Sequence, residues 1–301
     1  MSTSYGITTS SDLHGMNTNR IAFLAGAMDS ALQLPFLYAV ATRALQTEFY
    51  PIEAPGPHTR KTSEGTASNP KKLKKGTAVT YTKVTLENSL ALSRIAQIGM
   101  DPSINELQLL AALGNSAGWG IHQEAIDYTA NDAFTVNWAD GVPLYSDSHP
   151  SEIGLQSNRI ASAFDAASLK AALVMMSKMR GHDGQYVGQA GGYVLCPSDL
   201  GPTAWEAVGG TTTTPTPGSG VVSGPSYVGS RGLVVVESPA FEDTDGWVLV
   251  GKNARLEAFV ADASAPKIES VVGNRDRIAS DELTFILGTR SWRGFVGGGP
   301  S

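Results

Sequence analysis

Asp147 stands two residues before His149, with Asp140 nine residues before it and Glu152 three after, around the stretch WADGVPLYSDSHP (138–150). An imidazole beside a carboxylate is the arrangement of a general base held by an orienting acid, as a hydrolase would use it. Glu152 would add an oxygen ligand and make a metal site conceivable. A zinc site needs three or four ligands, however, and His14, His58, His122 and His182 show no ligand spacing. Pro150 favours extended or turning backbone before it, and Asp140-Gly141 is a turn dipeptide. The stretch therefore reads first as loop architecture, and no catalytic, cofactor or metal residue is assigned. His182-Asp183-Gly184 reads in the same way as a turn.

No other signature of chemistry stands out. The chain has no nucleophile elbow, phosphate loop, HExxH or dinucleotide fingerprint. Its single cysteine, Cys196, lies in an apolar strand-like run, where a thiol is an inert small hydrophobe. One cysteine excludes an internal disulfide framework and fits a reducing compartment. Met175, Met176 and Met179 read as helix core. Arg60, Lys61, Lys71, Lys72, Lys74 and Lys75 crowd into residues 58–75 with a single Glu, giving that segment +5 within a chain of net charge −6. No aromatic residues interleave with these lysines to stack bases. They suit contact with the acidic surface of a neighbouring copy, or form a solvated basic loop.

Composition narrows the classes. Charged residues are 17% of 301 and apolar residues 42%, a sparse charge count of the kind expected where much surface meets other protein chains. Net negative charge gives no general attraction to nucleic acid. No apolar run reaches the length of a membrane span, and the start MSTSYGITTSSDLHG has neither the basic end nor the apolar core of a signal peptide.

The elements that must position these residues follow from periodicity and punctuation. Residues 1–18 are Ser/Thr/Gly/Asn-rich and read as an arm. Residues 19–48 are apolar and partly helical in pattern, interrupted at Pro35. Pro and Gly crowd 49–76, and TAVTYTKVTLE (77–87) alternates as a strand, which suggests a long two-stranded excursion needing a surface to lie on. Ser103 and Glu106 form a capping box for a helix continuing to about Tyr128, weakened at Gly114, Gly118 and Gly120. Asp165 caps a second helix whose face is Leu169, Ala172, Leu173, Met176 and Met179, with Gly181 as the stop. GGYVLCP (191–197) is a buried strand. A third helix follows, with Ser198 as cap, Trp205 and Val208 packing, and Gly209 ending it. Residues 211–232 are Thr/Pro/Gly-rich and read as a linker or long surface loop. LVVVESP (233–239), GWVLVGK (246–252), RLEAFVA (255–261) and ELTFILGTR (282–290) read as strands, the last with Leu283, Phe285 and Leu287 on one side. The whole is an α+β fold.

Three stretches carry a resemblance. DGVPLYSDSHP, YVLCPSDLGPTAWEAV and RGLVVVESPAFEDTDGWVLVG, in that order over about 138–252, resemble segments of tailed-phage major capsid proteins of the Hong Kong-ninety-seven-type fold, in particular the Mu-type major head subunit. The resemblance implies an N-terminal arm (1–30), an extended E-loop hairpin (46–88) and a P-domain (31–45, 89–140 and 254–301) with the helix from Ser103 as its spine. It also implies an A-domain (141–253) carrying the 209–232 loop. It further implies self-assembly as pentamers and hexamers into an icosahedral shell around double-stranded DNA, without sequence-specific DNA binding or a membrane. Portal, scaffolding and cement or decoration proteins would be the partners, the virion the location, and the host cytoplasm the place of assembly. No scaffolding segment rich in coiled coil is visible at the start, so scaffolding would be a separate protein or a trimmed precursor. Some relatives weld an E-loop lysine to a P-domain asparagine; Lys71, Lys72, Lys74 or Lys75 and Asn274 would be the partners here, although most relatives form no such bond. The rivals are a nanocompartment shell of the same fold enclosing cargo enzymes, the hydrolase above, and another virion component such as a tail or decoration protein.

Overall fold

The computed structural model describes residues 34–42, 48–49, 79–81, 83–92, 105–182, 184–209, 211–216, 220–225, 227–261, 267–270 and 277–299. The chain divides into two compact units: Met1–Thr47 with Tyr81–Ala125 and Arg255–Thr289, and Glu48–Thr80 with Ile126–Ala254 and Arg290–Ser301.

The first unit is organised by a helix and a sheet. Strand β1 is Leu37–Thr42, where helical pattern is expected from the sequence. Its β-branched and aromatic content and the turn at Pro35 favour extended chain instead. Leu34, Phe36 and Leu37 are buried beside it. β1 runs parallel to β11 (Leu256–Ala261), and β11 pairs antiparallel with β13 (Arg277–Gly288). The other edge of β13 takes β4 (Lys83–Leu92) through ten antiparallel positions, Ile286↔Lys83 to Arg277↔Leu92, while β12 (Lys267–Ser270) pairs with its beginning on the β11 side. The expected strand at 77–87 is thus two: β4 and the short β3 (Val79–Thr80), which pairs with β2 (Glu48–Phe49). Residues 50–78 between them, the tip of the expected excursion, lie outside the described residues. Leu283, Phe285 and Leu287 are buried as their alternation predicts, but Ile286 is buried too, so this end of β13 is covered on both faces.

Helix α1, Asn105–Ile126, has 22 residues and is about 33 Å long at about 1.5 Å per residue. It stops short of Tyr128 and widens into a π-turn at Asp127–Asn131. Ser103, half of the expected capping box, lies outside the described residues. The glycines that lower its helix propensity have a packing reason at one point: a Cβ on Gly120 would meet the Leu86 methyl of β4. Asn88 on the same strand donates to Ser116 Oγ at 2.6 Å.

The second unit holds a five-stranded sheet in the order β5-β14-β10-β6-β9. These are Arg159–Ile160, Phe295–Gly298, Trp247–Gly251, Gly191–Pro197 and Val234–Ser238. The outer pairs, β14 with β5 and β6 with β9, are parallel, and β10 is antiparallel to both its neighbours. Every residue of β10 is buried, which is why WVLVG shows no alternation. Burying side chains such as Trp247, Phe295, Leu249 and Val250 contributes about 2 kcal/mol each by transfer from water.

Helix α2 is Ala166–Lys178. Asp165 accepts from the Ser168 N–H, and Ser168 Oγ accepts from the Asp165 N–H, a reciprocal cap. Leu169, Ala172, Leu173 and Met176 are buried as expected. The helix ends when Met179 turns extended, at φ −56° and ψ 142°, so Gly181 is not the stop. Met175 is only half-buried and is not core. Helix α3 is Gly201–Gly209, entered through a 3-10 turn at Ser198–Leu200 that has no side-chain cap from Ser198. Ala204 and Val208 pack inward, whereas Trp205 is 54% exposed and donates its Nε1–H to Glu237 at 2.9 Å. The expected loop at 211–232 contains a hairpin, β7 (Thr211–Thr216) against β8 (Gly220–Pro225), in register from Thr211↔Pro225 to Thr216↔Gly220.

Candidate functional site

The segment 138–160, in the second unit, is folded by its own turns. Trp138 and Val142 close a turn (Trp138 N–H to Val142 O, 2.7 Å) in which Gly141 takes φ 86°, as the Asp-Gly pair predicts. Farther on, His149 and Gln156 exchange both backbone hydrogen bonds at 2.9 Å, and the loop between them turns at Gly154, φ 111°. Tyr145 is fully buried, donates to Thr129 O at 2.7 Å, and burial followed by the neighbouring Tyr128 holds its phenol well above the usual range.

His149 is wholly buried, and its partner is Asp140 rather than Asp147. Nδ1 lies 2.7 Å from Asp140 Oδ2. Asp147 is exposed and accepts from Ser157 Oγ at 2.7 Å. Glu152 is exposed, and its N–H donates to His182 O. Among the described residues no three His, Cys, Asp or Glu side chains could hold a metal ion together.

Asn158 determines what faces the other side of the ring. Its Oδ1 accepts from the Ser146 N–H at 2.9 Å, and its Nδ2 donates to the carbonyls of Leu144 (2.8 Å) and Phe295 (3.1 Å). Turning the amide over would set oxygen against two carbonyl oxygens and N–H against N–H. Oδ1 therefore faces His149 Nε2 at 3.0 Å, beside the Leu144 carbonyl at 3.2 Å. Both are acceptors, so the tautomer with its hydrogen on Nε2 suits this side of the ring, while Nδ1 faces Asp140. Trp292 covers one face of the ring, with centroids 4.0 Å apart and planes at 10°. The Arg293 guanidinium lies 4.7 Å from the Trp292 ring, and its Nε donates to Arg180 O at 2.7 Å.

This arrangement ties a loop to strand β14 and to the residues just before it. It leaves no nitrogen of His149 able to reach a substrate, which removes the geometric basis of the hydrolase reading. Cys196 is equally unsuited to nucleophilic chemistry: burial, with Glu237 adding to it, pushes its thiol up to about 12. Asn158 and Trp292, which complete the node, carry no local sequence signal. Arg60, Lys61, Lys71, Lys72, Lys74, Lys75 and Asn274 lie outside the described residues.

Solved structures give the fold. The virus-like particle from Pyrococcus furiosus is similar over 93% of this chain and 96% of its own, with TM-score 0.53 at 10% identity. The satellite phage P4 procapsid with its size determination protein is similar over 95% and 91%, with TM-score 0.52 at 12% identity. These likenesses show the Hong Kong-ninety-seven-type shell fold. No curated protein sequence matches the chain. The family model described as phage capsid protein matches residues 71–298, and the chain belongs to that family. It is a structural protein of the capsid shell.

Proposed function

We propose that the chain is the major head protein of a tailed bacteriophage, resembling the Mu-type subunit, and that it assembles as pentamers and hexamers into an icosahedral shell around double-stranded DNA. The family match across 71–298 carries the reading. In this reading residues 1–30 are the arm, 46–88 the E-loop, 31–45, 89–140 and 254–301 the P-domain and 141–253 the A-domain. The compact units follow these bounds only in part, since residues 48–80, 126–140 and 290–301 fall in the unit that contains 141–253. A net charge of −6 supports enclosure of DNA without tight binding to the protein. Self-contacts build the shell. Portal, scaffolding and cement proteins are its further partners, and it assembles in the host cytoplasm before residing in the virion.

Size-exclusion chromatography and negative-stain microscopy of the purified full chain test this reading. Capsomer rings or closed shells are expected, and a stable monomer would overturn it. A second reading keeps the fold, which the virus-like particle from Pyrococcus furiosus shares, and changes the role to a shell enclosing protein cargo. Double-stranded DNA inside particles purified from the native source supports the phage head, and enclosed enzyme with no DNA supports the cargo shell.

A further inference from the structure

The outer side of α2 does not close against the rest of its unit. A groove of about 770 Å³ runs between this helix and the loop 150–157. Its floor is apolar: Ile153, Ala167, Ala171, Val174 and Met175. Ile153 is 50% exposed, Leu155 in the same loop is 71% exposed, and so is Tyr186, which lies against Arg180. Lys170, Lys178 and Arg180 stand at the rim, and the stretch from Ala166 to Arg180 contains no acidic residue. Arg180 is already set in place, with its guanidinium 4.4 Å from the Tyr186 ring and donating to the Tyr186 hydroxyl at 2.8 Å.

The opposite character appears in the turn between β9 and β10. Phe241 is half-buried there, and Glu242, Asp243 and Asp245 are exposed. No Lys or Arg occurs from Gly232 to Gly251. The turn is held firmly. Asn131 donates to Ala240 O at 3.0 Å and accepts from the Glu242 N–H at 3.0 Å, and Asp243 accepts from the Asp245 N–H at 2.9 Å. It packs beside Asn131 and Phe134, and it shares no lining residue with the α2 groove.

We propose that the α2 groove receives the acidic turn 241–245 of a second copy of this chain. One aromatic ring and three carboxylates meet an apolar floor with three cations on its rim. Because groove and turn are different surfaces of one unit, the contact is head-to-tail, the kind that forms a ring when its rotation closes. Complementary charge sets the register and the partner, and the apolar floor supplies the buried area. This rests on the shell reading above and names one contact by which neighbouring copies join.

The test uses full-length chain and analytical ultracentrifugation. The wild-type run examines the shell reading alone: if wild type forms neither rings nor shells, that reading fails. Given an assembling wild type, K170E/K178E is expected to lower the assembled fraction by about tenfold or more, and D243K/D245K to do the same, because each places like charges across the contact. Circular dichroism should show both folded as wild type. The decisive arm mixes the two variants. Each then offers the other an opposite-charge groove and turn, and rings reappear. Normal assembly of either variant alone, or no rescue in the mixture of two folded variants, overturns the groove contact and leaves the shell reading standing.

Discussion

The rings of His149 and Trp292 lie face to face, 4.0 Å apart and 10° from parallel, with Asp140 bonded to one edge of the imidazole and Asn158 to the other. Three residues of the loop 138–160 and one far along the chain thus lock that loop against the segment that leads into β14. Every polar atom of the ring is used, and a buried pair of this kind is costly to break from one side.

His149→Ala is therefore expected to destabilise the subunit by about 3 kcal/mol or more, since it leaves the Asp140 carboxylate buried without its partner and opens a cavity beneath Trp292. Asp140→Asn, which keeps an acceptor near Nδ1, should cost less. Asp147→Asn, at an exposed carboxylate bonded only to Ser157, should change stability by no more than about 0.5 kcal/mol. Urea unfolding of the three variants checks this. A larger loss for Asp147→Asn than for Asp140→Asn would contradict the pairing.

The contrast also shows where sequence reasoning reaches and stops. β6 was legible residue for residue, because an apolar run between Gly191 and Pro197 is bounded by its own punctuation. α2 was legible because Asp165 and a heptad-like apolar face are local signals. The choice between Asp140 and Asp147 was not legible, because it depends on the Gly141 turn bringing a residue nine positions away onto the ring. Trp292 lies far along the chain and enters only through tertiary packing. Trp205 has a helical spacing suited to packing, yet its indole finds Glu237 at the surface instead. The β7–β8 hairpin was hidden by Pro and Gly, although its threonines favour extended chain.

Gly120 makes a second prediction. Alanine there would gain about 1 kcal/mol of helix propensity on its own, but Leu86 of β4 occupies the place of the new methyl. Gly120→Val, with a larger and β-branched side chain, is expected to lose about 1–3 kcal/mol through overpacking. Combining it with Leu86→Ala should return part of that loss. Thermal unfolding of the single and double variants checks the coupling; strictly additive effects would show that helix and strand do not meet there.

Asp165 gives a pH dependence with a fixed sign. The backbone N–H of Ser168, then its hydroxyl, hold the carboxyl below its ordinary value. The folded state therefore takes up this proton less readily than the unfolded chain. The cap's contribution is complete above the unfolded carboxyl range and disappears as pH falls through the depressed folded value. Asp165→Ala is expected to cost about 1 kcal/mol at neutral pH, and the gap between variant and wild type should narrow in acid. Denaturant midpoints across that range measure it, and a gap that widens in acid would contradict the capping geometry.

The basic segment supplies the last prediction, and it concerns assembly rather than folding. Residues 58–75 carry +5 on a chain of net −6, so a copy reaching over its neighbour would join opposite charges. Each exposed pair is worth about 0–1 kcal/mol, but a shell repeats the contact many times. Replacing Lys71, Lys72, Lys74 and Lys75 by Glu is expected to reduce particle yield while leaving the subunit's circular dichroism unchanged, and wild-type assembly should weaken as salt is raised. Intact wild-type shells boiled in denaturant should run as a 31.5 kDa chain, the result expected when these lysines act through charge alone. A ladder of multiples would point instead to a covalent bond from the same lysines, with Asn274 the residue to replace first. Normal particle yield from the quadruple variant would remove the segment from the assembly contacts altogether.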